Sequence, residues 1–210
     1  EFTGTGSNTT VGHGMDIAPA LTIPNNNTIA DGHYVLHTGT GDPDLRLNIG
    51  TNQSAADDSS NFNGSYPSAT VISLGSADRT NKSGSNIVLY YWHDVDSYSS
   101  FGSYEGSGAA DGTFINTGMY GNKNFVKNID SAYSWHSVST TEQGYNTASN
   151  PSLQFDNDGV GGGAAYDIVS NGLKMRTANA NYNSAQTFIY GSWGGTPIQG
   201  DGAINQGRAK

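Results

Sequence analysis

The sequence lacks cysteine, long apolar runs and the common signatures of enzymes. With no cysteine among 210 residues, neither a disulfide nor a thiolate can hold the fold or carry out chemistry. No run approaches the ~18 apolar residues of a membrane-spanning helix, so we expect no membrane insertion. Neither a Gly-x-Ser-x-Gly elbow nor a Walker loop occurs, which removes the commonest signatures of hydrolases and nucleotide enzymes.

Charge is also scarce, and it is mostly negative. Charged residues make up 13% of the chain, and 9 Lys and Arg against 18 Asp and Glu give a net charge of −9. A nucleic-acid binder normally carries clustered Lys and Arg, whereas these are spread singly. We therefore expect no nucleic-acid partner.

Glycine and aromatic residues are abundant: 29 Gly, 12 Tyr, 7 Phe and 3 Trp. The aromatic residues fall inside short apolar runs, about ten residues apart, with Gly, Asn and Asp turns between them. No segment keeps apolar residues at helical spacing over ten positions. This pattern predicts an all-β sandwich or barrel with little helix.

The second half of the chain echoes the first. An aromatic residue, Gly-x-Gly and, further on, a Gly-Met pair occur in 2–15 and again in 101–119, which indicates a duplication. Three further pairs keep the same order: 71–75 with 172–176 at an offset of 101, 86–90 with 186–190 at 100, and 34–37 with 133–136 at 99. We predict one β-sandwich domain over 1–193, with repeats 1–95 and 98–193, and a Gly-rich arm over 194–210.

Three local predictions concern strands. The run 87–92 is apolar on both faces, so we expect a central strand that is covered on both sides and that fills the interior together with 187–190. The segment 24–32, which begins with Pro24, reads as a loop that interrupts the preceding strand. The run 133–135 reads as a strand of the second half.

Candidate site residues are few, and none is expected to be catalytic. Trp92, Trp135 and Trp193 could stack on sugar rings if exposed, although core packing is the commoner role of tryptophan. Asp156 and Asp158 flank an Asn before a Gly turn, a spacing that suits calcium but also occurs in metal-free turns. No other cofactor is expected.

Histidines and paired carboxylates offer weaker candidates. His33 and His37 would share one strand face, yet two imidazoles without a third ligand do not make a zinc site, so we expect structural histidines. Asp94 and Asp96 could form a carboxylate couple, but they lie in a linking segment where such residues are usually only solvated.

Four stretches carry a resemblance to a known family. They are Val11–Pro19, Phe101–Gly108, Ser170–Thr177 and Thr187–Tyr190. In this order they resemble a domain of unassigned function that is widespread in tail-fibre and other virion proteins of tailed bacteriophages. The resemblance covers nearly the whole chain and implies a lectin-like, jelly-roll type β-sandwich displayed on a virion. It supplies no catalytic residues.

The leading hypothesis is a non-enzymatic adhesion or display domain of a phage fibre or decoration protein, on the extracellular virion surface. Its partners would be host surface glycans, other virion proteins or copies of itself. A purely structural lattice or filament subunit is one alternative. The other is a polysaccharide-cleaving enzyme, which would need two acidic residues facing each other across a groove.

Overall fold

The computed structural model describes residues 1–29, 32–143, 146, 152–158, 160–161 and 166–194. The protein is 43% strand and 5% helix, and its antiparallel sheets form a sandwich-like arrangement, so the predicted all-β sandwich class is confirmed. The described helical segments are α1 (Asp78–Asn81), α2 (Thr140–Gln143) and a 3-10 turn at Thr38–Thr40. The chain divides into two compact units, unit 1 over Glu1–His93 and unit 2 from Asp94 onward.

Unit 1 is built from a large sheet and a small one. Its strands are β1 (Phe2–Thr3), β2 (Thr9–Gly12), β3 (Leu21–Asn26), β4 (Tyr34–His37), β5 (Leu45–Asn48), β6 (Ala56–Asp57), β7 (Val71–Leu74) and β8 (Asn86–Trp92). The large sheet has the order β1-β8-β3-β4-β5-β6, and β2 pairs with β7 in the small sheet.

Unit 2 repeats this plan with one strand more. Its strands are β9 (Ser99–Glu105), β10 (Phe114–Asn116), β11 (Gly121–Asn128), β12 (His136–Ser139), β13 (Ser152–Gln154), β14 (Val160–Gly161), β15 (Tyr166–Val169), β16 (Gly172–Met175) and β17 (Thr187–Gly194). The large sheet has the order β9-β17-β11-β12-β13-β14, and the small sheet has the order β10-β16-β15. Each strand of one large sheet therefore has a counterpart at the same place in the order of the other.

In each unit, side chains from both sheets meet in one core. The unit 1 core joins Leu36 of β4 to Ile72 and Leu74 of β7, together with Phe62 from the segment between β6 and β7. The larger unit 2 core contains Tyr104, Ile115, Val126, Val138, Tyr166, Ile168, Leu173, Met175, Tyr182, Phe188 and Tyr190. Burial of these apolar faces is what stabilises two packed layers.

The strand registers fix which residues correspond. Ile72 and Leu74 lie in the unit 1 core as Leu173 and Met175 lie in the unit 2 core, in agreement with the offset of 101. The offsets of 100 and 99 were wrong. Ile87 corresponds to Phe188, which gives 101 for the aromatic strands. His37 lies opposite Leu21 as Ser139 lies opposite Lys123, an offset of 102, so His136 is not the counterpart of His37.

A buried asparagine holds the first Gly-x-Gly loop of the chain. The Asn81 side chain is 0% exposed, and its Oδ1 accepts from the Thr5 N–H at 2.8 Å. Its Nδ2 donates to the carbonyl oxygens of Ser7 and Gly75, each at 2.7 Å. One amide thus ties the loop to the end of β7, and it satisfies backbone groups that would otherwise be buried without partners.

Asn183 performs the same task in unit 2. It is 0% exposed, its Oδ1 accepts from the Ser107 N–H at 3.0 Å, and its Nδ2 donates to Ala109 and Thr177 carbonyls at 2.8 and 2.9 Å. Glycine is required at Gly106 in this loop, because a Cβ there would lie 1.8 Å from the Ser184 carbonyl oxygen. The Gly-x-Gly repeat in the sequence is therefore a clamped loop.

Pro24 does not interrupt β3 as predicted. The strand runs through it to Asn26, paired with β8 along its whole length, whereas its pairing with β4 covers only Leu21 and Thr22. Beyond Thr22 the side of β3 that faces β4 therefore behaves as a sheet edge. Proline has no N–H to donate, and on this side its presence removes no hydrogen bond between strands.

Other predictions shift by a few residues. The strand expected at 133–135 begins instead at His136. The second copy of the repeat begins within β9, a full strand that pairs with β17. Gly194, the first residue of the predicted arm, is the last residue of β17, and 195–210 lie outside the described residues. The expectation that β8 is covered on both sides was wrong, because Tyr90 is 47% exposed.

Candidate ligand-binding face

The alternation of β8 divides its aromatic residues between two faces. Leu89 and Tyr91 point toward the unit 1 core and pack against it. Val88, Tyr90 and Trp92 therefore point to the opposite, outer face of the sheet. A strand with apolar residues on both faces thus has one face in the core and presents an aromatic ring on the other.

Tyr90 is the prominent residue of that outer face. Its ring is 47% exposed and stacks against the half-buried Trp92 ring, with 6.5 Å between centroids and 15° between planes. Trp92 thus supports one side of the tyrosine. Because a ring held by a neighbour loses little conformational entropy on binding, Tyr90 is a preorganised contact.

Strand β3 completes the surroundings of Tyr90. Ile23 lies directly opposite Tyr90, and Asn25 lies opposite Val88, so both side chains share the outer face. Both are half-buried, and the Asn25 amide forms no side-chain hydrogen bond with another described residue. We call Tyr90, Trp92, Val88, Ile23 and Asn25 the Tyr90 face.

The Tyr90 face has a definite chemistry. It combines a flat aromatic surface, aliphatic neighbours and an amide that can both donate and accept, and it contains no charged side chain. Aromatic faces pack on the apolar C–H faces of sugar rings, while amides bond to hydroxyl groups. The face therefore suits a neutral, hydroxyl-rich ligand. Sequence patterns pointed to Trp92 but missed Tyr90, Ile23 and Asn25, because exposure and cross-strand register decide their roles.

Trp135 and Trp193 lie in unit 2 and share a different environment. Trp135 is 1% exposed and lies 5.7 Å from the Phe125 ring. Trp193 is half-buried, edge-on to Phe101 at 5.2 Å and 5.8 Å from Phe125. These two tryptophans thus pack around one phenylalanine, and the enclosed Trp135 ring offers no open face to a sugar.

The predicted calcium residues have different positions. Asp156 is half-buried, and its Oδ1 accepts from the Trp135 N–H at 3.0 Å, so this carboxylate already caps a backbone donor. Asp158 is exposed. Among the residues that the structure describes, no three His, Asp or Glu side chains are grouped closely enough to hold a metal ion. Calcium binding at this turn stays a prediction.

Two carboxylates of unit 2, those of Asp111 and Asp167, pair with the same cation. Asp167 Oδ2 lies 2.5 Å from Arg176 Nε, and Asp111 Oδ1 lies 3.8 Å from Arg176 Nη1 and 2.9 Å from Lys174 Nζ. Contact with Lys174 lowers the pKa of Asp111, and contact with Asp167 raises the pKa of Arg176. A general acid needs a raised pKa, so this network is unsuited to glycoside cleavage.

Two histidines of unit 1, His37 and His13, have structural contacts. His37 is fully buried, and its Nδ1 accepts from the Gly39 N–H at 2.9 Å at the start of the 3-10 turn. His13 Nδ1 accepts from the Met15 N–H at 3.3 Å, and Nε2 lies 3.0 Å from the Ser68 carbonyl oxygen. Both rings stabilise turns, in keeping with a structural role.

Comparison with known proteins gives a family but no activity. The family described as "Domain of unknown function (DUF7483)" matches residues 1–197. Searches of curated proteins and of solved structures each found no match. Within the described residues, no helix is long and apolar enough to cross a membrane.

Proposed function

Because the chain belongs to this family of domains of unknown function, its role has to be inferred from its geometry, and we propose that it is a non-enzymatic adhesion domain. In this proposal it is displayed on a bacteriophage virion and binds host surface glycans through the Tyr90 face. The observation that carries the proposal is Tyr90, which is 47% exposed and whose ring is held against Trp92 beside the uncharged side chains of Ile23 and Val88.

The physical reason lies in the match between face and ligand. Neutral sugars offer apolar C–H patches and many hydroxyl groups, and Tyr90 and Asn25 supply one partner for each. Contiguous exposed apolar patches mark binding surfaces, and Tyr90 is contiguous with Ile23, Val88 and Trp92. The phage and fibre context rests on the resemblance of the sequence.

A glycan array probed with the full chain tests the proposal. We expect wild-type protein to bind a subset of neutral glycans and Tyr90→Ala to bind them at least about tenfold more weakly, a loss of about 1.4 kcal/mol. Tyr98→Ala is the matched control, because Tyr98 is 44% exposed and lies in unit 2. Circular dichroism should show that both variants remain folded.

Two outcomes would overturn the adhesion proposal. One is a wild-type array without binding, which would leave a structural role. The other is unchanged binding by Tyr90→Ala. Repeating the array with a chelator tests the calcium prediction at Asp156 and Asp158, since only a calcium-dependent site loses binding when calcium is removed.

A further inference from the structure

A cluster of three hydrogen-bonding side chains is buried inside unit 2. His136 of β12 is 1% exposed, and its Nδ1 lies 2.8 Å from the Tyr182 hydroxyl and 3.1 Å from the Ser152 Oγ. The two hydroxyl oxygens lie 2.8 Å from each other. The cluster joins β12, β13 and the segment before β17, within the core that contains Tyr182.

The cluster is arranged for a neutral imidazole. The neutral ring carries one proton, so one of its nitrogens donates and the other accepts. Among the described residues, the buried Nε2 has no hydrogen-bond partner. A second proton would make both nitrogens donors, fix the hydroxyl groups that face Nδ1 as acceptors and leave a charged ring with an unmet donor in the core.

The surrounding groups do not compensate for that charge. Burial lowers the pKa of His136, and Lys127 adds to the effect, while Asn181 and Asp156 oppose it. The other titratable side chains of the core around it are Tyr104, Tyr166, Tyr182 and Tyr190, with Tyr120 packed against them. Burial raises the pKa values of Tyr104 and Tyr182, so these phenols stay neutral and offer no counter-charge.

We propose that His136 makes unit 2 acid-sensitive, because protonation places a charge on its buried ring, forces its hydrogen bonds with Ser152 and Tyr182 to rearrange and loosens the pairing of β12 with β13. The corresponding position in unit 1 is Tyr34, so the cluster belongs to unit 2 alone. Surrounding pH would thereby control local opening of one half of the domain, independently of any ligand at the Tyr90 face.

The direction of the pH effect follows from proton linkage. An unfolded chain takes up a proton on histidine near pH 6.5, whereas the folded ring resists it. Between the two pKa values the unfolded state holds more protons, so stability falls as the pH decreases below about 6.5. Above that range the contribution is constant.

Hydrogen–deuterium exchange of the full chain at pH 7.5 and 5.0, corrected for intrinsic rates, measures this opening. We expect amides of β12 and β13 to lose at least about tenfold protection at pH 5.0 in the wild type. His136→Phe should reduce that loss to less than about threefold, because phenylalanine fills the volume and leaves the Ser152 to Tyr182 hydrogen bond intact. His13→Asn is the control, since it removes a unit 1 histidine and should retain the wild-type loss.

Equal loss of protection in the wild type and in His136→Phe would overturn the proposal, as would unchanged protection of the wild type at pH 5.0. Should the phenylalanine variant not fold, a nuclear magnetic resonance titration of the wild-type histidines replaces it. A His136 signal that titrates near pH 6.5 without any change in β12 amide protection would then overturn the proposal.

Discussion

The two large sheets have the same strand order, but their outer faces differ in which aromatic residues are exposed. Trp92 and Trp193 occupy corresponding positions, opposite Leu21 in β3 and Lys123 in β11. Two residues earlier, unit 1 has Tyr90 where unit 2 has Gly191. In unit 1 the tryptophan is therefore stacked by a tyrosine of its own strand, and this tyrosine remains exposed.

In unit 2 the ring that packs against the tryptophan comes from the neighbouring strand, β11. Phe125 stands where unit 1 has Ile23, and its ring covers Gly191 and reaches Trp193 at 5.8 Å. Phe125 is 4% exposed. Both units thus have a tryptophan at this position. In unit 2 the pair Gly191 and Phe125 beside it buries the phenylalanine ring, whereas in unit 1 the pair Tyr90 and Ile23 leaves the tyrosine exposed. If the proposed function holds, this difference predicts ligand contact in unit 1.

The largest expected effect tests what the two units share. Asn81→Ala and Asn183→Ala should each lower the free energy of unfolding by about 4 kcal/mol, because each removes hydrogen bonds from buried backbone groups. Urea unfolding followed by circular dichroism measures both. Asn122→Ala, at an exposed position of β11, should stay within about 0.5 kcal/mol. A large loss for one clamp and none for the other would break the equivalence of the units.

A smaller effect tests where the outer faces differ. Gly191→Ala places a Cβ 2.2 Å from Phe125 Cε1, so we expect a loss of about 3 kcal/mol in the free energy of unfolding. The control is Gly12→Ala in β2, where the nearest atom to a Cβ is 3.8 Å away. If Gly191→Ala unfolds like the wild type, Phe125 is not locked over the glycine, and the contrast with unit 1 loses its physical basis.

Apolar alternation along the chain predicted much of this fold. Val71–Leu74 and Gly172–Met175 alternate clearly, and their offset of 101 agrees with the residues that each strand buries in its core. The sequence pattern does not reveal Asn81 and Asn183 as counterparts, because a polar residue in a short helix or turn has no periodicity to mark it. Their roles arise only when the loop folds back onto them.

The exposure of Tyr90 could not be predicted for a related reason. The pattern of Ile87–Trp92 indicates apolar residues on both faces, but not whether anything covers the outer one. Likewise Pro24 reads as an interruption until the pairing of β3 shows that one of its sides lacks a partner strand. Local patterns identify strands, whereas coverage depends on which strands become neighbours.

The smallest expected effect concerns another difference between the outer faces. Lys127 of β11 corresponds to Asn25 of β3, and its buried Nζ donates to the Asn128 and Tyr133 carbonyl oxygens, each at 2.7 Å. Burial lowers the pKa of Lys127 to about 8, against the attraction of Asp156.

Since the folded state releases this proton more readily than the unfolded chain does, the contribution of Lys127 to stability rises with pH from about 8 to 10.5. Between pH 7 and 9 we expect the free energy of unfolding to rise by about 1 kcal/mol relative to Lys127→Met. Urea unfolding at both pH values measures the difference, and Lys123→Met controls for removal of a lysine from the same strand. A difference that stays flat or falls would mean that water reaches Lys127. Unit 2 would then resemble the open, polar face that Asn25 forms in unit 1.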